Sequence, residues 1–391
     1  MTDAYPALTG HLADAGTDGY LLDADGDDSN QRYLSGMDSL GEFVALYADG
    51  EVRLLVPDLE APRAEAESDA DAVRRRSEFG FGDLVVERGP ALAGPLATAR
   101  FLADYGVESV SVPPNFPTGT ADALRDEGIE VVADYDDAVT GVRAVKSPAE
   151  IEAVAAAQRA NEDAMAAVEA LLADAAVEDG VLRLGGDTVT SERVREVIEA
   201  ELRDAGCELS ECIVASGPEA AKAHAVGSGP IRAGEPVIVD VFPRDEASGY
   251  VGDMTRTFVK GDPDEKVREW YEVTREAYET ALAAIEPGVT GEAVNDAVCD
   301  VFEAAGYPTL RTDEATDDGL YHPTGHGVGL DLHEEPKLSW GAGELEPGNV
   351  VTVEPGCYEQ GVGGVRLEDV VVVTEDGYRN LNDYPRDLRV V

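Results

Sequence analysis

Up to the residues near 140, short apolar runs alternate with longer amphipathic stretches. Runs at 19–25 (GYLLDAD), 41–60 (GEFVALYADGEVRLLVPDLE), 83–87 (DLVVE), 107–112 (VESVSV) and 129–134 (IEVVAD) predict strands. The second of these reads as a hairpin closed by Asp49-Gly50. Between them, 91–106 and 120–128 predict helices, each ending at glycine. That order describes a compact α/β unit. No phosphate-binding loop interrupts it, because Asp25-Gly26-Asp27 reads as a turn and no Gly-Lys-Ser/Thr follows.

The texture changes near 146. Ser147-Pro148-Ala149-Glu150 puts serine at an N-cap, proline at the first helical position and glutamate two further on, a strong helix start. An alanine-rich helix to about 175 follows, then a second over 190–206 and a strand over 211–217. The pattern recurs: 262–288 predicts a helix with Asp262 at the N-cap and Pro263 at the first position, and 290–307 predicts another. At 391 residues the chain exceeds one typical core. Two domains are expected, 1–143 and 144–391.

Charge adds a constraint on setting. The chain has 80 acidic against 30 basic residues, net −50, with only five lysines. No more than two acids are consecutive and the excess runs the full length, so this is not an acidic binding tail. Such a surface repels itself at low salt, whereas at molar salt the Debye length shrinks to about 3 Å. The reading is adaptation to a salt-rich cytoplasm of the halophilic archaeal kind. A nucleic-acid partner would require a basic patch, which is missing. No apolar run approaches roughly 18 residues, so no membrane span is expected, and the start lacks signal-peptide features. Cys207, Cys212, Cys299 and Cys357 form no C-x-x-C pair and read as reduced cytoplasmic thiols.

Chemistry enters through an internal echo. Gly234–Asp240 (GEPVIVD) and Gly348–Glu354 (GNVVTVE) are apolar strands that each end in a carboxylate six residues after a glycine. Each has a partner downstream: Asp253, 13 residues after Asp240, and Glu368, 14 after Glu354. Each pair fits across an antiparallel hairpin, facing one side. Buried unpaired carboxylates are costly. Arg256 and Arg366 do not balance four acids, whereas two divalent cations do. Three of the five histidines fall in His322–His333 (HPTGHGVGLDLH), where glycines 325, 327 and 329 allow tight turns and close approach. His326 reads as the nitrogen ligand, with His322 and His333 flanking the metals and His224 a fourth candidate. His11 reads as plain surface. A mostly oxygen set with one imidazole favours Mn²⁺, with Co²⁺ as the alternative, over a thiolate zinc site.

The motifs VDVF…GDMTRTFVKG, HPTGHGVGLDLHEEP, VTVEPGCY and GVRLEDVVVV resemble the five-ligand signature of the pita-bread metallopeptidases, family M24. Residues 1–140 resemble, more weakly, the N-terminal domain that proline-specific members share with creatinase. The resemblance implies an α+β fold: a pita-bread catalytic domain preceded by a smaller α/β, creatinase-type, ribonuclease H-like domain. By position it implies that Asp240 and Glu354 are terminal ligands, Asp253 and Glu368 bridge, and His326 binds one metal. It also implies that His224 and His333 contact substrate, that His322 lines the proline side, and that Arg366 supports the site or meets a substrate carboxylate. Phe242, where the family often has glycine, and a slightly long loop between the two aspartates depart from the pattern.

The resulting expectation is hydrolysis of an N-terminal Xaa-Pro bond, as a prolidase or aminopeptidase P-like enzyme, by a hydroxide bridging two metals. Glu354 would carry the proton to the leaving nitrogen. The expected partner is a peptide with proline in second position, and the resemblance implies a homodimer. Three rivals share the fold. A methionine-type aminopeptidase lacks the long leading domain, a creatinase-like C–N hydrolase lacks the ligand set, and a non-catalytic binding protein would have lost ligands. Cys357, beside Glu354, reads as a core thiol, and Trp270 and Trp340 as packing.

Overall fold

The structure is a computed structural model that describes residues 5–38 and 41–391. It divides into two compact units, one up to Arg143 and one from Ala144 to Val391.

The first unit is a mixed six-stranded sheet. Its strands are β1 (Gly19–Ala24), β2 (Phe43–Ala48), β3 (Glu51–Val56), β4 (Ala72–Arg75), β5 (Ser109–Val112) and β6 (Glu130–Ala133), in the order β4-β3-β2-β1-β5-β6. The β2–β3 turn has Asp49 at φ 57° and Gly50 at φ 76°, the left-handed pair that a tight hairpin requires. The expected strand at 83–87 is instead part of a helix, Phe81–Arg88. Only Leu84 is buried there, so the apolar run is one stripe of a helix, an ambiguity that short runs carry. His11 is not plain surface: its Nε2 lies 3.5 Å from the buried Asp134 Oδ2.

The second unit repeats one plan: a helix pair packed on an antiparallel sheet. The helix Pro148–Asp174 begins with the expected capping box between Ser147 and Glu150. With Ser191–Asp204 it packs on β7 (Cys212–Ser216), β8 (Pro236–Val241) and β9 (Met254–Val259). The second pair is Glu265–Ala284 and Gly291–Ala304. The first of these starts at Glu265 with Asp264 as its N-cap, two residues later than the sequence suggests, because Asp262 instead accepts from Arg268 at 2.6 Å. This pair covers a five-stranded sheet built from β10 (Gly325–Gly327), β11 (Glu334–Leu338), β12 (Val350–Val353), β15 (Asp369–Thr374) and β16 (Gly377–Asn380), in the order β11-β10-β12-β15-β16. Two further strands, β13 (Gly356–Glu359) and β14 (Gly363–Arg366), form a hairpin tip between β12 and β15. A short β17 (Arg389–Val390) joins the edge of β9.

Strand alternation decides where the chemistry lies. In β8, Val237, Val239 and Val241 pack on the first helix pair, so Asp240 faces the other way. In β12 and β15, Val351, Val353, Val371 and Val373 pack on the second pair, so Glu354 and Glu368 take the opposite face. Each buried valine contributes about 1.5–3 kcal/mol, so a one-residue slip that reversed these faces would be strongly disfavoured.

Candidate metal centre

The two hairpins meet through threonines. Asp240 pairs with Thr255 in the β8–β9 ladder, and extending that register sets Asp253 beside Phe242, on Asp240's face. The Thr255 hydroxyl donates to Glu368 at 2.6 Å, and the Glu368 amide donates to the Thr255 carbonyl at 3.1 Å. The Thr257 hydroxyl donates to the Arg366 carbonyl at 2.9 Å and accepts from the Arg366 amide at 3.0 Å. The second hairpin holds one register throughout: Val353 pairs with Asp369 and Gly356 with Arg366. Glu354 and Glu368 therefore stand opposite each other in the short break between the two ladders.

His326 reaches this pair from β10. Its Nδ1 is 3.1 Å from the Gly327 carbonyl, which only accepts, so the proton sits there and Nε2 presents its lone pair. Nε2 lies 3.3 Å from Glu354 Oε1 and 3.7 Å from Asp253 Oδ2. Ligand atoms of Asp253, His326 and Glu368 all lie within 4.8 Å of one another. A cleft of about 640 Å³ is lined by all five residues, by His224, His322 and His333, and by Arg366.

The electrostatics show what the site favours. Burial and then mutual repulsion push Asp253 and Glu368 well above the usual carboxylate range. Burial also raises Asp240, against the pull of Arg366. Burial works upward on Glu354 too, but a protonated His326, with His322 and Arg366, would hold it at about 2. One buried oxygen, Asp240 Oδ1, has no hydrogen-bond partner. Four converging carboxylates, an orphaned oxygen and one free imidazole lone pair fit divalent cations, which would replace protons as the source of positive charge.

The remaining residues divide into two groups. His224 and His333 stand exposed in the cleft, and the His333 ring is 4.3 Å from that of His326. Burial, then His326 and Lys337, bring His333 down to about 4. His322 is tied in: Nδ1 faces the Pro323 carbonyl at 2.8 Å, and Nε2 accepts from the Tyr358 hydroxyl at 3.0 Å. Arg366 is buried, with its guanidinium shared among Asp240, Thr255 and Tyr358. Cys357 lies in the apolar core, where burial raises its thiol pKa, and it does not line the cleft. Trp270 is buried, and Trp340 is 42% exposed rather than packed.

Several residues escape a reading from sequence. Gln158, on the helix Pro148–Asp174, holds Asp253 at both ends: its Nε2 donates to the Asp253 carbonyl and its Oε1 accepts from the Asp253 amide, each at 2.7 Å. Asn161, three residues on, donates to the Val241 carbonyl. Two amides on a buried helix face were the only signal. Thr352 accepts from the His326 amide at 3.0 Å and donates to Glu354 at 3.3 Å. Its signal was a lone hydroxyl in an apolar strand.

Comparison with known proteins agrees with this architecture. Residues 152–375 match the model of metallopeptidase family M24, and residues 6–145 match the creatinase/prolidase N-terminal domain. A Xaa-Pro dipeptidase of Pyrococcus furiosus is 31% identical over 92% of both chains. The solved prolidase of Pyrococcus horikoshii superposes with a TM-score of 0.79 at 26% identity, covering 99% of this chain and 100% of its own. An X-Pro aminopeptidase structure from Thermotoga maritima shares the fold, with a TM-score of 0.76 at 23% identity over 96% of this chain and 98% of its own.

Proposed function

Because this chain belongs to metallopeptidase family M24, we propose that it hydrolyses the bond between an N-terminal residue and a following proline. The observation that carries this reading is that Asp240, Asp253, Glu354, Glu368, His326 and three further histidines line one cleft. Two divalent cations bound there would supply Lewis acidity and a water deprotonated near neutral pH.

In this reading Asp240, Asp253, Glu354, Glu368 and His326, through its Nε2, would hold the two cations. The oxygen-rich set favours Mn²⁺, with Co²⁺ next. Gln158 holds the Asp253 backbone and Thr255 the Glu368 carboxylate, at 2.7 and 2.6 Å. His224 and His333, exposed in the cleft, are the groups that meet the scissile carbonyl. His322 spends both ring nitrogens on protein partners, so it offers a fixed surface to the proline rather than a proton. Arg366 supports Asp240 from inside, and its burial argues against a direct substrate contact. Glu354, 3.3 Å from His326 Nε2 and 17% exposed, would pass a proton to the leaving nitrogen. The acidic wall receives the substrate's free amine, which restricts cleavage to the chain end. The charge balance supports a salt-rich cytoplasm as the working environment.

The test is metal analysis paired with a peptide panel in high salt. Chelation should abolish cleavage of Ala-Pro, and Mn²⁺ or Co²⁺ should restore it. Preference for Met-Ala over Ala-Pro, or activity indifferent to chelation, would overturn the reading.

A further inference from the structure

The chain beyond β16 returns to the two hairpins and ends in polar contacts with residues next to the cleft acids. Asn382 is buried there. Its Oδ1 accepts from Gln158 Nε2 at 2.9 Å and from the Val370 amide at 2.8 Å, and its Nδ2 lies 3.3 Å from Met254 Sδ. Gln158 is the side chain that grips the Asp253 backbone at both ends. Met254 follows Asp253 in the chain, and Val370 stands two residues after Glu368. One carboxamide thus joins the support of Asp253 to the strand that follows Glu368.

Arg256 makes a second link, on the other face of the strands. Alternation along β9 turns it away from Thr255, and Asp369, the first residue of β15, likewise turns away from Glu368. Arg256 and Asp369 meet at 2.7 Å, with both side chains fully buried. The Arg256 guanidinium also donates to the carbonyls of Thr255 at 2.9 Å, of Glu368, of Pro385 at 2.8 Å and of Tyr384 at 3.2 Å. Asp369 in turn accepts from Tyr278, from Asn380 at 2.8 Å and from Arg386. In a chain of 80 acids and 30 bases, two arginines converge on one carboxylate that does not line the cleft.

We propose that Asn382 and the Arg256–Asp369 pair are positioning residues that set the separation of Asp253 and Glu368, and through it the affinity for the cations. The assignment rests on the metallopeptidase reading above. Asp253 and Glu368 come from different hairpins, yet their ligand atoms and that of His326 lie within 4.8 Å of one another. Thr255 ties the hairpins on the cleft face, Arg256 and Asp369 tie them on the opposite face, and Asn382 ties them through Gln158. A buried ion pair stabilises little more than apolar side chains of equal volume would, which leaves geometry as its contribution. None of the three lines the cleft, so none meets substrate.

The experiment is a calorimetric Mn²⁺ titration of the metal-free full chain in high salt, run beside urea unfolding and Ala-Pro hydrolysis. Asn382→Leu should weaken Mn²⁺ binding by roughly 10–100-fold, the usual cost of losing a residue that orients a metal ligand. At saturating Mn²⁺ its kcat should fall while KM stays within about twofold of native. Arg386→Met removes a half-exposed partner of Asp369 and should act the same way by a smaller factor, which keeps the test open if Asn382→Leu does not fold. Val298→Ala, a cavity in the core between the second helix pair and its sheet, should lower the urea midpoint with Mn²⁺ affinity unchanged. Native Mn²⁺ affinity in Asn382→Leu and Arg386→Met, or a loss that Val298→Ala matches at equal loss of stability, overturns the positioning role while the Xaa-Pro reading stands. A native chain that binds no Mn²⁺ overturns both.

Discussion

Arg366 shows how far one side chain carries this site. It is buried with its guanidinium against Asp240, inside a group of four acids whose charges repel. Without metal it is the nearest counter-charge; with metal it is one of several. Arg366→Met should therefore destabilise the metal-free protein by about 3–5 kcal/mol, the cost of leaving a buried charge unpaired, and the loaded protein by clearly less. Urea unfolding with and without Mn²⁺ measures this, and equal losses in the two forms would refute it. The carboxylates that line the cleft were legible in sequence because an acid at the end of an apolar strand is conspicuous. Their supports were not. Gln158 meets Asp253 across 95 residues, and Thr255 meets Glu368 across 113, and nothing local in the chain marks such pairings.

At the scale of elements, close approach of β10 and β12 governs whether His326 arrives in range. A Cβ on Gly325 would collide with the Thr352 carbonyl, in the same contact that fixes the His326 amide. Gly325→Ala should cost about 1–3 kcal/mol of stability through overpacking and weaken metal binding together. Calorimetric unfolding and a metal titration test this; a loss of stability with metal affinity intact would separate the strand contact from the site. Most strands and helices were readable from periodicity and caps, such as the Ser147–Glu150 box. The helix Phe81–Arg88 was not, since five residues of mixed apolar character do not distinguish a stripe from a strand. The start at Glu265 was also misread, because Asp262-Pro263 and Asp264-Glu265 both look like caps and only the Arg268 contact separates them.

For the molecule as a whole, the net charge of −50 predicts that folding strengthens with salt. The urea midpoint should rise from 0.1 M toward molar KCl as self-repulsion is screened; a flat or falling midpoint would remove salt adaptation as the reason for the charge. Among the described residues no helix is long and apolar enough to cross a membrane. The catalytic unit is also built from two similar halves, each a helix pair on a sheet, joined by the short segment between Val259 and Glu265. Asp240 and Asp253 belong to the first half, and His326, Glu354 and Glu368 to the second. Neither half carries a full set of donors, so a chain severed at Lys260–Asp264 would have to reassemble from fragments before it could hold a cation pair. Metal uptake by such a mixture would then report non-covalent complementation of the two halves.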